Sequence, residues 1–446
     1  MKPCSSTALS VAAIACRIPL RRLLGLVLSA GWLASAAVGA ERLTDLGGVF
    51  EASFNHDGSR VLVRTREGAL GLWEVATGAP VVGDLGTKAE GEVWVWSADA
   101  RRVLVGFKAG GARVFAADTG EALSPVLAVP LRDKTRAAFS PDGALVVMLD
   151  EAAAVVLEVK SGRQLARIPL ALPAPDDEPP STPAVRFTAD GAQCLLMDRA
   201  GSVTRYDART WKPAGPALRH PAAPAAYSYG FALSADGRWV ATFDGPGENG
   251  PKGHLQIWDA KGQALGKPLS AVNGLEGRFL TGADRLLMLP GRGEGRVRAL
   301  PGIKGYAIRQ HDEIEGPSVA ASRDGKWLLS WGADRSLFLL DAATGAIKGS
   351  HSSGAAIAQV LTDAAGCYVL FDNTAFLLQN HHDFYVVRMD FADLRITHSR
   401  RFTESVQRME LSPDGRRLLI QLGPSDRERL LFLNAPDLAP LPALER

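Results

Sequence analysis

His381-His382-Asp383 is the sequence's clearest set of potential metal ligands. Imidazole nitrogens and carboxylate oxygens are donors that Zn²⁺ accepts in proteins. Neighbouring residues of a strand point to opposite faces, so the two histidines could hold one ion only from a loop. The chain has eight histidines and none at a suitable spacing from this pair. A polar loop without metal is therefore the simpler interpretation, with a metal site as the alternative, and we expect no cofactor.

Glycines cluster at 245–253, in the sequence Gly-Pro-Gly-Glu-Asn-Gly-Pro-Lys-Gly. A phosphate-binding loop would end in Gly-Lys-Ser/Thr and lead into a helix, and this segment does neither. It is better explained as the tip of a long hairpin. The sequence also lacks Gly-x-Ser-x-Gly, His-Glu-x-x-His and the acidic calcium loop. We therefore predict no catalytic residues from linear motifs.

An Asp-Gly turn between two short apolar runs recurs along the chain about every 45 residues, a period typical of propeller blades. Glycine supplies the positive φ of a tight hairpin turn, and aspartate accepts hydrogen bonds from its backbone. These aspartates are thus predicted to serve the backbone rather than catalysis. The complete copies contain Asp57, Gly58, Asp142, Gly143, Asp190, Gly191, Asp236, Gly237, Asp324, Gly325, Asp414 and Gly415. Degraded copies contain Asp99, Asp284 and Asp363.

Each turn joins two of the three or four short strands that make up one repeat. In the seventh repeat, strands at 318–322, 327–331 and 336–341 are separated by turns, and a further turn at 342–345 leads into a fourth segment. The strands are rich in Val, Leu and Phe, which is typical of strands buried on both faces. The sequence therefore predicts an all-β protein of four-stranded antiparallel sheets.

The repeats resemble the WD-repeat family of β-propellers. The resemblance covers about 49–434 and rests on the Ser-x-Asp-Gly turn, the third strand with its acidic end, and the Thr/Ser-Gly that follows. That strand ends in Trp258-Asp259, Trp73-Glu74 or Leu340-Asp341. The family's Gly-His pair is absent, although His220 and His311 lie near its expected position. The resemblance implies that Ser330 and Asp334 bond His311. The chain is also similar to the periplasmic TolB-type propellers, and we expect a divergent member.

The family resemblance implies a single propeller of residues 41–446. Nine turn motifs predict nine blades, with eight as the alternative if the region around Asp284 or Asp363 is an insertion. Because 42–46 precedes the first inner strand, we expect this N-terminal segment to close the ring as the outer strand beside 430–433.

Residues 1–40 have the pattern of a secretory signal: four basic residues, then an apolar stretch, then small residues up to Ala40. Cleavage before Glu41 would release the protein into the periplasm or the medium and leave no membrane span. An uncleaved anchor is the alternative, since the apolar run is near the shortest that spans a membrane. Arg21-Arg22 leaves twin-arginine export open beside the general secretory route.

The net charge excludes one class of function, and the positions of the cysteines predict the state of their thiols. The full chain has a net charge of +2, and loss of residues 1–40 would leave −2. Nucleic-acid binding needs clustered basic charge, so we exclude it. Cys194 and Cys367 would remain, four repeats apart, and we expect buried, unpaired thiols.

We expect an exported monomer that binds a protein partner, since WD-type propellers are mostly scaffolds. The alternative is an enzyme or small-ligand-binding propeller with its site at the central channel. Three long loops differ most between repeats and are the expected binding elements. They lie at 172–183, 245–253 and 379–384.

Overall fold

A computed structural model describes most of the chain beyond Val49. The described residues are 49–85, 93–107, 110–129, 136–150, 152–171, 183–221, 228–245, 253–271, 275–281, 284–290, 294–302, 304–308, 311, 318–352, 354–372, 383–424 and 428–443. Among them, no helix is long and apolar enough to cross a membrane. The predicted signal segment and residues 42–46 lie outside these ranges, and the signal stays a prediction.

The described strands form nine antiparallel sheets, which we call blades 1 to 9. Blades 1 to 3 contain β1 (Val49–Phe54), β2 (Arg60–Thr65), β3 (Leu70–Glu74), β4 (Pro80–Val82), β5 (Val93–Trp96), β6 (Arg102–Gly106), β7 (Ala112–Ala116), β8 (Arg136–Phe139), β9 (Leu145–Leu149), β10 (Ala153–Glu158) and β11 (Gln164–Pro169). Blades 4 to 6 contain β12 (Ala184–Phe187), β13 (Gln193–Met197), β14 (Ser202–Asp207), β15 (Leu218–Arg219), β16 (Ser228–Leu233), β17 (Val240–Gly245), β18 (Gly253–Trp258), β19 (Leu269–Ala271), β20 (Leu275–Phe279), β21 (Arg285–Pro290), β22 (Arg296–Ala299) and β23 (Lys304–Ala307). Blades 7 to 9 contain β24 (Ser318–Ala321), β25 (Trp327–Trp331), β26 (Ser336–Asp341), β27 (Ile347–Ser352), β28 (Ala356–Thr362), β29 (Gly366–Asp372), β30 (Phe384–Asp390), β31 (Ile396–Phe402), β32 (Val406–Leu411), β33 (Arg417–Leu422), β34 (Arg429–Asn434) and β35 (Ala439–Pro440).

Every blade is a simple meander, in which each strand pairs with the next one along the chain. Eight blades have four strands. Blade 2 has three described strands, and its outer edge makes the isolated bridges Ala112↔Leu127 and Phe115↔Ala122. The first strand of each blade is its inner strand and the last is its outer strand. The count agrees with the nine turn motifs, so the eight-blade alternative is wrong.

The hydrophobic core is divided into nine clusters, and each cluster joins two consecutive blades. Sheets with two apolar faces cannot bury both alone, so stacking side by side is what removes them from water. Leu337 and Leu339 of β26, for example, pack against Val369 and Val387 of blade 8. All four side chains are almost completely buried.

The last cluster closes the ring by joining blade 9 to blade 1. Phe54 packs edge-on against Phe432, with ring centroids 6.1 Å apart. The Phe54 N–H donates to Glu410 Oε1 at 3.0 Å, and the Val49 N–H donates to the Glu428 carbonyl at 3.1 Å. First and last blades therefore meet directly, face to face.

The outer strand of blade 9 differs from the sequence-based expectation. β35 pairs with β34 at Leu433↔Pro440 and Asn434↔Ala439, and the Leu441 N–H donates to the Phe432 carbonyl at 2.8 Å. The chain's own C-terminal segment thus occupies the edge at 432–434, where we expected residues 42–46. A short turn after Asn434 returns the chain to its own blade, so this edge needs no strand from elsewhere.

The repeated turn is a small hydrogen-bonded unit. In blade 3 the Ser140 hydroxyl donates to Asp142 Oδ1 at 2.5 Å and accepts from the Leu145 N–H at 2.9 Å. Asp142 Oδ1 also accepts from the Ala144 N–H at 3.0 Å. The Ser140 hydroxyl and the Ala144 N–H hold the pKa of Asp142 below its ordinary value. The carboxylate is therefore committed to the turn.

The turn glycines also allow neighbouring blades to approach. Gly58 has φ +70°, and a Cβ there would lie 2.6 Å from the Cβ of Ser412 in the turn of blade 9. At Gly325, also at φ +70°, a Cβ would overlap the Thr281 carbonyl of blade 6. The same glycine therefore permits the backbone conformation and the contact between blades.

Blade 2 has alanine where the repeat calls for glycine, and Ala100 is held at φ 62°. The left-handed conformation costs a non-glycine residue about 1–2 kcal/mol, whereas glycine adds less than that in unfolded-chain entropy. We predict that Ala100→Gly raises the free energy of unfolding by about 0.5–1 kcal/mol, measured by urea denaturation. Ala144→Gly, at an exposed turn position without positive φ, should lower it. An Ala100→Gly protein no more stable than wild type would contradict this account of the turn.

Candidate functional site

The meander gives the ring two chemically different faces, because successive connections lie at opposite ends of the strands. One face, here the turn face, carries the connections between first and second and between third and fourth strands. The other, the loop face, carries the connections between second and third strands and between blades. All three loops predicted to bind a partner belong to the loop face. Their described ends are Ala171 and Pro183, Gly245 and Gly253, and Asp372 and Asp383.

The inner strands of blades 8, 9 and 1, which are neighbours around the ring, each contain a bulge near the loop face. The register shifts between Val49 and Glu51 in blade 1, with Phe50 as the additional residue. Ala358 and Gln407 are the additional residues of blades 8 and 9. All three side chains are exposed. A bulge turns a side chain out of the pleat, so the loop-face mouth of the channel presents these three residues.

Phe50 is the large apolar member of that set, with 52% of its surface exposed. The Arg64 guanidinium lies 4.1 Å from the centre of its ring and 5.4 Å from that of Trp94. Arg64 also pairs with Glu51 at 3.5 Å. Cation–π contact and the ion pair fix the guanidinium between the two rings. We call Phe50, Glu51, Arg64 and Trp94 the mouth cluster.

Two tryptophans of blade 2 are hydrogen-bonded to the strand that carries Phe50. The indole N–H groups of Trp94 and Trp96 donate to the same Ser53 hydroxyl, at 3.0 and 3.1 Å. Two tryptophans are thereby anchored to the inner strand of blade 1. Phe50 itself is half exposed, so truncating it should cost the fold little stability.

Of the residues predicted as metal ligands, the structure describes only Asp383. Its carboxylate accepts two hydrogen bonds from the Arg401 Nη2, at 2.8 and 2.9 Å, and one from Nε at 3.0 Å. His381 and His382 lie outside the described residues, so a metal site there stays a prediction. Within the described ranges, no group of three His, Cys, Asp or Glu side chains could hold a metal ion.

The two histidines singled out by the repeat pattern are buried in hydrogen-bonded networks. His311 Nδ1 lies 2.8 Å from Asp334 Oδ1, and Nε2 lies 2.7 Å from Ser330 Oγ. These are the partners that the family resemblance implied. His220 Nδ1 lies 2.8 Å from Thr242 Oγ1, which also accepts from the Trp258 indole at 2.9 Å. Both networks tie a connection between blades to the interior of the following blade.

Blade 5 adds a second histidine to its network. His220 Nε2 and His254 Nδ1 each lie 3.5 Å from Asp244 Oδ2, and the His254 N–H donates to Asp244 Oδ1. Asp244 is almost fully buried. Burial raises the pKa of Asp244, but the His220 imidazole and the His254 N–H outweigh it and hold the pKa below its ordinary value. Asp244 is therefore a charge that the folded state favours.

Both described cysteines are free and buried. Burial raises the pKa of each thiol, that of Cys367 to about 12. The expectation of buried, unpaired thiols is confirmed for Cys194 and Cys367.

The channel wall contains two adjoining cavities, of about 600 Å³ and 380 Å³. The larger extends along the inner strands of blades 6 to 9 and reaches the turns of blades 7 and 9. The smaller lies along blades 4 to 6 and shares Arg278 and Phe279 with it. Phe50 lines neither, so the mouth cluster and the cavities are separate features.

Sequence reasoning missed the mouth cluster. The pattern Val49-Phe50-Glu51 is that of an ordinary strand, and nothing local marks the register shift that exposes Phe50. The shift depends on how β1 pairs with β2, which composition and spacing do not record.

We predict that Asp244→Asn lowers the free energy of unfolding by about 1–3 kcal/mol at neutral pH, because a buried network loses its charge. A depressed pKa contributes stability that is present above the ordinary value near 3.8 and lost as pH falls through the folded value. The difference between wild type and variant should therefore shrink as the pH is lowered below about 4 in urea titrations. Asp118→Asn, at an exposed carboxylate without a hydrogen bond in the described chain, is the control. A difference that stays constant down to low pH would contradict the assignment.

No family model matches the chain, and no curated protein matches it. Solved structures do. A crystal structure of the eukaryotic initiation factor matches with a TM-score of 0.63 at 12% identity, covering 86% of this chain and 95% of that one. The C-terminal WD40 domain of Sif2 matches with a TM-score of 0.53 at 13% identity, covering 87% of this chain and 96% of that one. At such identities the likeness shows the fold alone, which is that of a WD40-type β-propeller, here with nine blades.

Proposed function

We propose that this protein is an exported, non-catalytic scaffold that binds a protein partner on its loop face, at the mouth cluster. WD40 propellers generally mediate interactions between proteins, which makes this the starting expectation for the fold. The observation that carries the proposal is the bulge that exposes Phe50 beside Arg64 and Trp94.

The composition of the cluster supports protein binding. Interfaces are enriched in aromatic residues and arginine, and their binding energy is concentrated in a few such anchors. Half of the surface of Phe50 is exposed to water, although other residues of the same strand are buried in the hydrophobic core. The three long loops belong to the same face, so a partner that binds at Phe50 would lie beside them.

Phe50→Ala should weaken partner binding about thirtyfold, the loss of an interface anchor worth roughly 2 kcal/mol. The partner is first captured from the native envelope fraction with the wild-type protein, and the affinity of both proteins for it is then measured. Ile347→Ala is the matched control, because Ile347 is 49% exposed but lies on the outer strand of blade 7.

The proposal is supported if the captured protein binds the Ile347→Ala variant as tightly as wild type and the Phe50→Ala variant weakly. Equal binding by all three proteins contradicts it. Unfolding curves of the variants separate a lost contact from a damaged fold, since Phe50 is exposed and should contribute little to stability.

Export rests on residues 1–40, whose basic start, apolar middle and small-residue end match a cleavable signal. We expect the exported protein to begin at Glu41, as determined by N-terminal sequencing of material from the envelope or medium. Recovery of the protein with residues 1–40 attached would favour the anchored alternative.

A further inference from the structure

The larger channel cavity has the size of a small-molecule site, about 600 Å³. Its wall combines apolar side chains such as Val319, Val360 and Leu411 with the arginines of three different blades. These arginines are Arg278, Arg323 and Arg408.

Two of the arginines are oriented by a hydrogen bond and keep further N–H donors for a ligand. Arg278 Nε donates to Glu276 Oε1 at 2.6 Å, and Arg408 Nη2 donates to Glu410 Oε2 at 3.3 Å. A guanidinium has five N–H donors, so each of these bonds leaves most of the fork available. The two side chains are 63% and 50% exposed. They are oriented by a carboxylate of their own strand while still facing water.

Arg323 makes no ion pair or hydrogen bond with any residue that the structure describes, and it is exposed. It occupies the second position of the Ser-x-Asp-Gly turn. That position holds a small residue or proline in the other complete Ser/Thr-x-Asp-Gly turns, namely Pro141, Ala189, Ala235 and Pro413. The turn therefore does not require a cation at this position. Among the complete Ser/Thr-x-Asp-Gly turns, only that of blade 7 has an arginine there.

The carboxylates of the wall are already bonded. Asp363 accepts from the Arg388 guanidinium at 2.7 Å and from the Tyr368 hydroxyl at 3.0 Å. Glu410 uses Oε1 for the Phe54 N–H that closes the ring. Glu276 pairs with Arg278. What the cavity still offers a ligand is thus donor capacity and positive charge rather than acceptors.

We propose that this cavity binds a small organic anion with two or more carboxylate or phosphate groups, which Arg278, Arg323 and Arg408 engage together. Guanidinium matches the paired oxygens of both groups, which explains why arginine rather than lysine suits such a site. Arg278 also lines the smaller cavity, so a longer ligand can extend along the channel past it. This site is independent of the mouth cluster.

The test is isothermal titration calorimetry of the purified full chain with sodium citrate and with sodium pyrophosphate, at constant ionic strength. Arg278→Gln, Arg323→Gln and Arg408→Gln should each weaken binding about tenfold or more, the loss of a charged hydrogen bond. Arg323→Gln is the sharpest variant, because the fold has no described bond of Arg323 to lose. Arg163→Gln is the matched control, since Arg163 is 69% exposed on blade 3, away from the cavity.

Binding of citrate, pyrophosphate or both, weakened by the three cavity substitutions and not by Arg163→Gln, supports the site. Binding of only one of the two probes shows whether the site prefers carboxylate or phosphate groups. The proposal is overturned if neither probe binds. It is also overturned if the three substitutions leave binding unchanged, which would mean an adventitious ion only. The Phe50→Ala variant should bind the probes as wild type does, so this result and that of partner capture are independent.

Discussion

The hydrogen bond between a Ser or Thr hydroxyl and the Asp carboxylate, made in the turns of blades 2, 3, 4, 5, 7 and 9, is the interaction on which the ring depends. In blade 3, Ser140 and Asp142 together satisfy the backbone that reverses the chain between inner and second strands. The glycine that follows then lies against the previous blade, as Gly58 does against Ser412. One four-residue motif therefore sets the geometry within a blade and the spacing between blades. Its repetition explains why the chain builds a ring rather than separate sheets.

Closure adds a constraint that repetition alone does not meet, because the first and last blades must match without a covalent link. Here the match is made by packing of Phe54 on Phe432 and by the Glu410 carboxylate, which accepts the Phe54 N–H. Burial raises the pKa of Glu410, although that hydrogen bond and Arg408 favour its charge. Arg408 thus contributes to both closure and the channel cavity.

The sequence predicted what the repeat encodes locally. Spacing of the turns gave nine blades, and the family resemblance identified the partners of His311 at Ser330 and Asp334. It did not predict what depends on pairing between distant segments. The edge beside Phe432, where we expected residues 42–46, is occupied by the C-terminal segment, and the bulge at Phe50 follows from the register of β1 on β2. Arg323 stands out only when it is compared with the residues at the equivalent positions of the other turns.

Departures from the repeat are where specific chemistry must be sought, because whatever recurs in every blade is already explained by the fold. The turn aspartates recur, and their carboxylates bond their own backbone. Phe50 and Arg323 do not recur, and neither is needed by the strand or turn that carries it. They lie in separate features of the channel, one apolar and aromatic, the other cationic. A ring built from near-equivalent blades can therefore present two chemically different sites, since a single residue in one blade changes the wall without disturbing its neighbours.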